Sequence, residues 1–399
     1  MSSLYNPTEE HLALRQMVRD FAEKDVQAQA AEHDREERFN VGLFRKCGDL
    51  GLLGLTVPER WGGAGMDAVA AVIVHEELAA VDPGFTLAYL AHAMLFVNNF
   101  LHNASDAQRD RVLPKVCSGA WVAGMGMSEP HAGTDALAMK TTAVRDGDDY
   151  ILNGAKMWIT NGAVTDTELG DCFLVYARTS SGTRGLSSFL VEKGMPGFRL
   201  GQRIKDKLGM RASSTAELVF DDCRVPAANR IGDEGASTRH MMRNLEIERL
   251  ALAAMSLGIG RRCIEIMNAY ATDRHAFGQP LRSFGQIQRY IGDSYAEWMA
   301  GRAYVYATAA SLDLASEAVP GEGRISSRVD SDGVKLYCAT MGKNVADRAI
   351  QVLGGYGYVG EYHVERLWRD AKLLEIGGGT IEAHQKNITQ DLRGVTSLR

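Results

Sequence analysis

The hydrophobic pattern of this chain changes period twice, and that double change limits its fold more than any other feature. Up to about Gly119, apolar residues recur at helical spacing. Thr8 can cap a first helix that opens with Glu9 and Glu10, and Leu14, Val18 and Phe21 mark its buried face. Residues 40–50, 68–81, 84–101 and 106–116 read as further helices, with the loop LTVPERWGGAGMD breaking the run before 68. From Trp121 the period falls to two. Residues 141–145 and 150–153 flank an Asp-Gly turn as a hairpin, and 156–160, 172–178, 187–192, 198–204 and 216–220 are short β-rich runs. Short, evenly spaced strands predict a small barrel or sandwich ending near Val225-Pro226. Helices then return over 237–273, 284–314, 331–353, 361–373 and 380–392, with a surface loop over 317–327. The expected fold is α+β and multidomain, in the order α–β–α. It comprises an N-terminal α-helical domain (1–120), a middle β-barrel domain (121–232) and a C-terminal α-helical bundle (233–399).

A net charge of −6 and a pI near 6.0, without a basic block, argue against a nucleic-acid surface. No apolar run reads as a membrane span, and the first residues have neither a signal-peptide core nor the Arg-rich look of a transit peptide. The six cysteines stand without CxxC pairs, as reduced, buried thiols would. These features predict a cytoplasmic protein, or a mitochondrial-matrix one if the chain is a processed eukaryotic product. Histidines 131, 240, 275, 363 and 384 stand alone, so no metal site is expected.

Within the long helix from Ser237, Met241, Leu245, Leu252 and Met255 fall on one apolar stripe, and Glu248 sits in its middle. Arg239, Arg243, Glu246 and Arg249 gather elsewhere on the helix, as solvated charges should. A carboxylate on a core-facing stripe costs several kcal/mol unless it is paired or neutral through a raised pKa. A carboxyl group held that way suits a general base working near neutral pH; the plainer reading is an edge ion pair with a neighbouring Arg.

The run Gly355-Tyr-Gly-Tyr-Val-Gly360 matches GxGxxG, but a helix precedes it where a dinucleotide site needs a strand. A helix end with a glycine turn is the better reading. Three other stretches gain meaning together. Met127-Ser-Glu-Pro-His-Ala-Gly-Thr-Asp135 offers hydroxyls and backbone amides at the start of the β part. Met157-Trp-Ile-Thr-Asn161 places an aromatic and a hydroxyl on one strand face, and Arg274-His-Ala-Phe-Gly-Gln279 follows the Glu248 helix.

These stretches, with YILNGxKxWITN (from Tyr150), KLGMR (from Lys207), QxxGGxGY (from Gln351) and RDAK (from Arg369), resemble the acyl-CoA dehydrogenase family from the first helix to about Leu392. The resemblance implies FAD, a homotetramer (dimer of dimers) or dimer with a flavin site shared between subunits, an acyl-CoA substrate, and electron transfer to an electron-transfer flavoprotein. It puts Met127, Ser128, Gly133, Thr134, Trp158, Ile159 and Thr160 at the flavin, and Arg274, Phe277 and Phe284 at the FAD of the neighbouring subunit. Gln351, Gly354 and Gly355 would lie beside the adenosine half, and Thr380 and Glu382 near the pyrophosphate. Thr134, Arg239, Glu246, Arg249 and Gly378 would contact the substrate.

The departures carry information too. Most of the family has its catalytic glutamate just before Gly-Thr in a motif resembling IYEGT; here the run is Glu375-Ile-Gly-Gly-Gly-Thr380, and Gly378 holds that position. The isovaleryl-type branch places the base in a motif resembling LERL, matched by Ile247-Glu248-Arg249-Leu250. Glu248 is therefore the expected base, with the Gly378 N–H among the donors to the thioester oxygen. The expected reaction is FAD-dependent α,β-dehydrogenation of a short, branched acyl-CoA such as isovaleryl-CoA to the trans-2-enoyl-CoA. An oxygen-using or carrier-protein-linked enzyme of the same fold, or a silent flavoprotein, is the alternative.

Overall fold

The structure is a computed structural model that describes residues 3–182, 185–312, 314, 327–395 and 397. Helices occupy the chain as far as Cys117, strands lie between Ala123 and Ile231, and helices resume at Ser237. The loop expected over 317–327 falls outside the described residues except for Ser327, which opens the next helix.

Local chemistry accounts for the boundaries. The Thr8 hydroxyl accepts from the His11 N–H at 3.3 Å and starts the helix Glu9–Phe21. Asp67 caps the helix Ala68–Ala79 in the same way, and every residue of that helix is buried. Asp82, followed by proline at the first helical position, opens a continuous helical run over Pro83–Asn103 with a π-helical stretch at Ala91–Asn98. This run is long and apolar enough to cross a membrane by length and composition, contrary to the sequence expectation. Its most apolar window is 89% buried inside the protein, so it is a core helix.

The middle part is an eight-stranded sheet made of β1 (Ala123–Gly126), β2 (Thr142–Asp146), β3 (Asp149–Thr160), β4 (Cys172–Arg178), β5 (Leu186–Glu192), β6 (Phe198–Ile204), β7 (Thr215–Pro226) and β8 (Arg230–Ile231). The order is β6-β7-β3-β2-β4-β5-β8, with β1 parallel to β4. Among the described residues no pairing joins β6 to β8, so the expected barrel is not closed. Alternation along a strand reports which face is buried and is silent on whether a sheet's two edges meet.

The first and last parts are not separate cores. One apolar cluster runs from Leu14 and Val72 through Leu250 and Met255 to Val345 and Leu367. A Cβ on Gly258 of the long helix Ser237–Asp273 would lie 2.3 Å from the Glu76 carbonyl oxygen, so glycine permits backbone-to-backbone approach there.

KLGMR and RDAK meet in a similar way. A Cβ on Gly209 would lie 2.4 Å from the Arg369 carbonyl, and the Met210 N–H donates to Asp370 Oδ1 at 2.5 Å. Burial, with Asp34 nearby, pushes the Asp370 carboxyl up to about 7. Gly209→Ala is expected to cost about 1–3 kcal/mol through overpacking of backbone on backbone, read as a lower midpoint in denaturant unfolding.

Candidate active site

Glu248 lies on the long helix with 7% of its surface exposed, and its Oε2 has no hydrogen-bond partner among the described residues. Burial raises its pKa from the ordinary 4.5 to about 7, against the opposing pull of Arg249 and Lys335. Gly378 sits directly against it. A Cβ at 378 would be 3.4 Å from Glu248 Oε1 and 2.3 Å from Leu252 Cδ1, and the backbone there has φ +68°. A glutamate at 378 would be strained at that φ and would have to displace Leu252, and the carboxyl of Glu248 lies beside that position instead. Among the described residues no backbone carbonyl accepts from the Gly378 N–H.

The Met127–Asp135 stretch leaves the end of β1 and is tied to β3 by charge. Lys156, fully buried on β3, donates to Glu129 Oε1 at 2.7 Å and to the Met127 carbonyl at 3.2 Å. The Glu129 carboxylate also accepts from the Lys140 and Thr141 N–H groups. Ser128 pairs through its carbonyl with the Met157 N–H, while Gly133 and Thr134 stand exposed. The β3–β7 register then slips between Lys156 and Ile159, and Trp158 at the slip has φ +67° and is 62% exposed. Ile159 points inward to the sheet core; Thr160 shares the open face with Trp158. Asn161, at φ +63° and fully buried, donates to the Ala88 and Ala123 carbonyls and anchors the strand end to the first helices.

A second group forms where the long helix ends. β9 (His275–Ala276) and β10 (Gln279–Pro280) make a two-stranded hairpin that puts Phe277 at its tip, 96% exposed and in edge contact with Phe284. Arg274 borders a cavity of about 420 Å³ that Tyr270, Tyr356 and Tyr362 also line, beside the Gly354-Gly355 turn. Gln351 is exposed at the end of the helix Ser327–Leu353. Thr380 caps the helix Ile381–Asp391, whose first turn carries Glu382.

The charged residues expected at the substrate lie at different depths. Arg239 is exposed, whereas Glu246 and Arg249 are buried rather than solvated, because the long helix is covered on more sides than one apolar stripe implies. Arg249 faces Asp332, at 3.3 Å, in the core.

Family models for the acyl-CoA dehydrogenase N-terminal, middle and C-terminal domains match residues 8–120, 124–223 and 238–392. The chain belongs to the acyl-CoA dehydrogenase family. A mitochondrial isovaleryl-CoA dehydrogenase of Oryza sativa subsp. japonica is 39% identical over 395 residues, covering 98% of this chain and 92% of that protein. Butyryl-CoA dehydrogenase from Megasphaera elsdenii superposes with a TM-score of 0.89 at 32% identity, over 97% of this chain and 98% of that one. A glutaryl-CoA dehydrogenase from Mycobacterium smegmatis, in complex with FADH2, superposes with a TM-score of 0.88 at 29% identity, over 98% and 96%.

The acyl-CoA dehydrogenases are FAD flavoproteins, and the residues of this one fit the group. Trp158 offers a largely uncovered indole, a Cβ on Gly133 would meet nothing within 4 Å, and Thr380 heads a helix N-terminus that favours phosphate. Sequence reading missed the Lys156–Glu129 pair of this dehydrogenase, although a signal existed: Lys156 shares strand parity with the apolar Tyr150 and Leu152. It also missed Asp332, Lys335 and the environment of His384, for which no local signal exists.

Proposed function

We propose that this dehydrogenase oxidises a short, branched acyl-CoA thioester across its α,β bond, giving the trans-2-enoyl-CoA. The carrying observation is the buried, unpartnered Glu248 carboxyl facing the side-chain-free Gly378. Thioester α-protons are weakly acidic, so their removal needs a strong base together with stabilisation of the developing oxyanion. Glu248 takes the α-proton, its basicity increased by burial, while the Gly378 N–H donates to the thioester oxygen. Bound FAD supplies the two-electron acceptor for the β-hydrogen. The isovaleryl relatives support the short, branched chain. Electron transfer to an electron-transfer flavoprotein, and a homotetramer covering Phe277 with a second copy, belong to the same reading. Six free, buried cysteines agree with a reducing compartment.

Anaerobic bleaching of the FAD-replete enzyme by isovaleryl-, isobutyryl-, 2-methylbutyryl-, butyryl-, octanoyl- and glutaryl-CoA tests it. A short branched member should react fastest; preference for octanoyl- or glutaryl-CoA would overturn the substrate class. Because the base acts as the carboxylate, kcat/KM should rise with pH through a midpoint near 7. A rate flat from pH 5 to 9 would remove Glu248 from the role.

A further inference from the structure

Behind the Glu248–Gly378 contact lies a buried polar cluster that the proposed chemistry leaves unused. Asp332, on the helix Ser327–Leu353, and His384, on the helix Ile381–Asp391, both have fully buried side chains. His384 Nδ1 lies 2.5 Å from Asp332 Oδ1, and its Nε2 lies 3.0 Å from the Gly379 carbonyl oxygen. Asp332 Oδ1 also faces Arg249 Nη1 at 3.3 Å. Gly379 has φ +102°, and a Cβ there would come within 2.9 Å of His384 Cε1, so the imidazole is packed flat against the turn. Lys335, one helical turn beyond Asp332, is fully buried and donates to the Leu374 carbonyl just before the same turn.

Proton counting decides what the histidine is. A carbonyl oxygen and a carboxylate can only accept, so a ring with one on each side is satisfied only when both nitrogens carry hydrogen. Arg249 Nη1, which can only donate, lies 3.3 Å from the same Asp332 oxygen that faces His384, so that oxygen accepts from both sides. We propose that His384 is a positioning residue for the reaction: held by Asp332 as an imidazolium, it clamps the Gly379 carbonyl and so fixes the Gly378 N–H relative to Glu248. Asp332 has a second part, because it neutralises Arg249, the cation adjacent to the base. The inference rests on Glu248 as the base and Gly378 as the oxyanion donor.

The charges acting on His384 are Arg249 from the long helix, and Asp332 and Lys335 from the helix Ser327–Leu353. Burial, with Lys335 and Arg249, lowers the His384 pKa below its ordinary 6.5 against the pull of Asp332; the demand for a second proton comes from the two acceptors that flank the ring. Removing the cation by His384→Gln should therefore raise the proton affinity of Glu248, whereas a merely structural histidine would leave it unchanged.

Two measurements on the FAD-replete, full-length protein test this. Selective 15N-histidine spectra, with the His384 signals assigned by their loss in His384→Gln, should show both ring nitrogens protonated from pH 6 to pH 8; a neutral tautomer at pH 7 overturns the proposal. In His384→Gln, the protonated-carboxyl infrared band that disappears in Glu248→Gln should titrate at higher pH than in wild type. Anaerobic bleaching should slow by about 100-fold with substrate affinity retained, as expected for a misplaced donor. An unshifted Glu248 titration with an unchanged bleaching rate overturns it. Both spectroscopic readings need no turnover, so they stand even where no acyl-CoA bleaches the flavin and the functional reading fails.

Discussion

Glu248→Gln is expected to lower the rate of anaerobic flavin reduction by about 10²–10⁴-fold while the protein retains FAD and folds normally. Glutamine keeps the size of the side chain and removes its ability to take a proton. The same substitution should stabilise the fold above neutral pH. The folded-state pKa of about 7 lies above the ordinary 4.5, so between those values the folded chain binds more protons than the unfolded one. Stability contributed by protonated Glu248 is therefore present below pH 4.5 and is lost as pH rises through 7, by roughly 3 kcal/mol in total. Thermal unfolding of wild type and variant at pH 5 and pH 8 checks it: the variant should gain at pH 8 and differ little at pH 5. A variant that is inactive and also less stable at pH 8 would assign Glu248 to structure.

Lys156→Met should cost about 3–5 kcal/mol of folding stability, because it leaves the Glu129 carboxylate buried without its charge partner. Neither side chain of the pair is more than 1% exposed, so water cannot take over. Burial pulls the Lys156 ammonium down to about 8 even with Glu129 opposing it. The double variant Lys156→Met/Glu129→Gln should recover part of the loss, since it removes the orphaned charge. Equilibrium denaturation gives both values. The Met127–Asp135 stretch leaves β1 through this pair, so FAD content should fall in the single variant as well.

Much of this architecture was legible along the chain. The long helix Ser237–Asp273 begins and ends where periodicity puts it, and Glu248 stands out because a charge on an apolar stripe breaks the local pattern. A Cβ built on Gly378 would lie 3.4 Å from Glu248 Oε1, so the two positions that sequence comparison relates are neighbours in the fold. What periodicity left open depends on packing between distant segments. Residues 150–153 and 156–160 read as two runs but form one twelve-residue strand, because a register slip between Leu152 and Gly154 disguises the continuity. His384 reads as a lone histidine since its partner lies on another helix, 52 positions away. Arg249 reads as solvated because a single stripe cannot report that the helix Ser327–Leu353 brings Asp332 against the same segment.

The backbone contact between Gly258 and Glu76 has a consequence for biosynthesis. The helix Ala68–Ala79 is fully buried and apolar except for His75, Glu76 and Glu77, and its covering helix is made only after the entire sheet. At roughly 5–20 residues per second of translation, the nascent helix waits some tens of seconds for residue 258. During that interval its apolar surface faces water or a chaperone. Truncations that stop within the sheet should therefore aggregate rather than accumulate as a folded fragment.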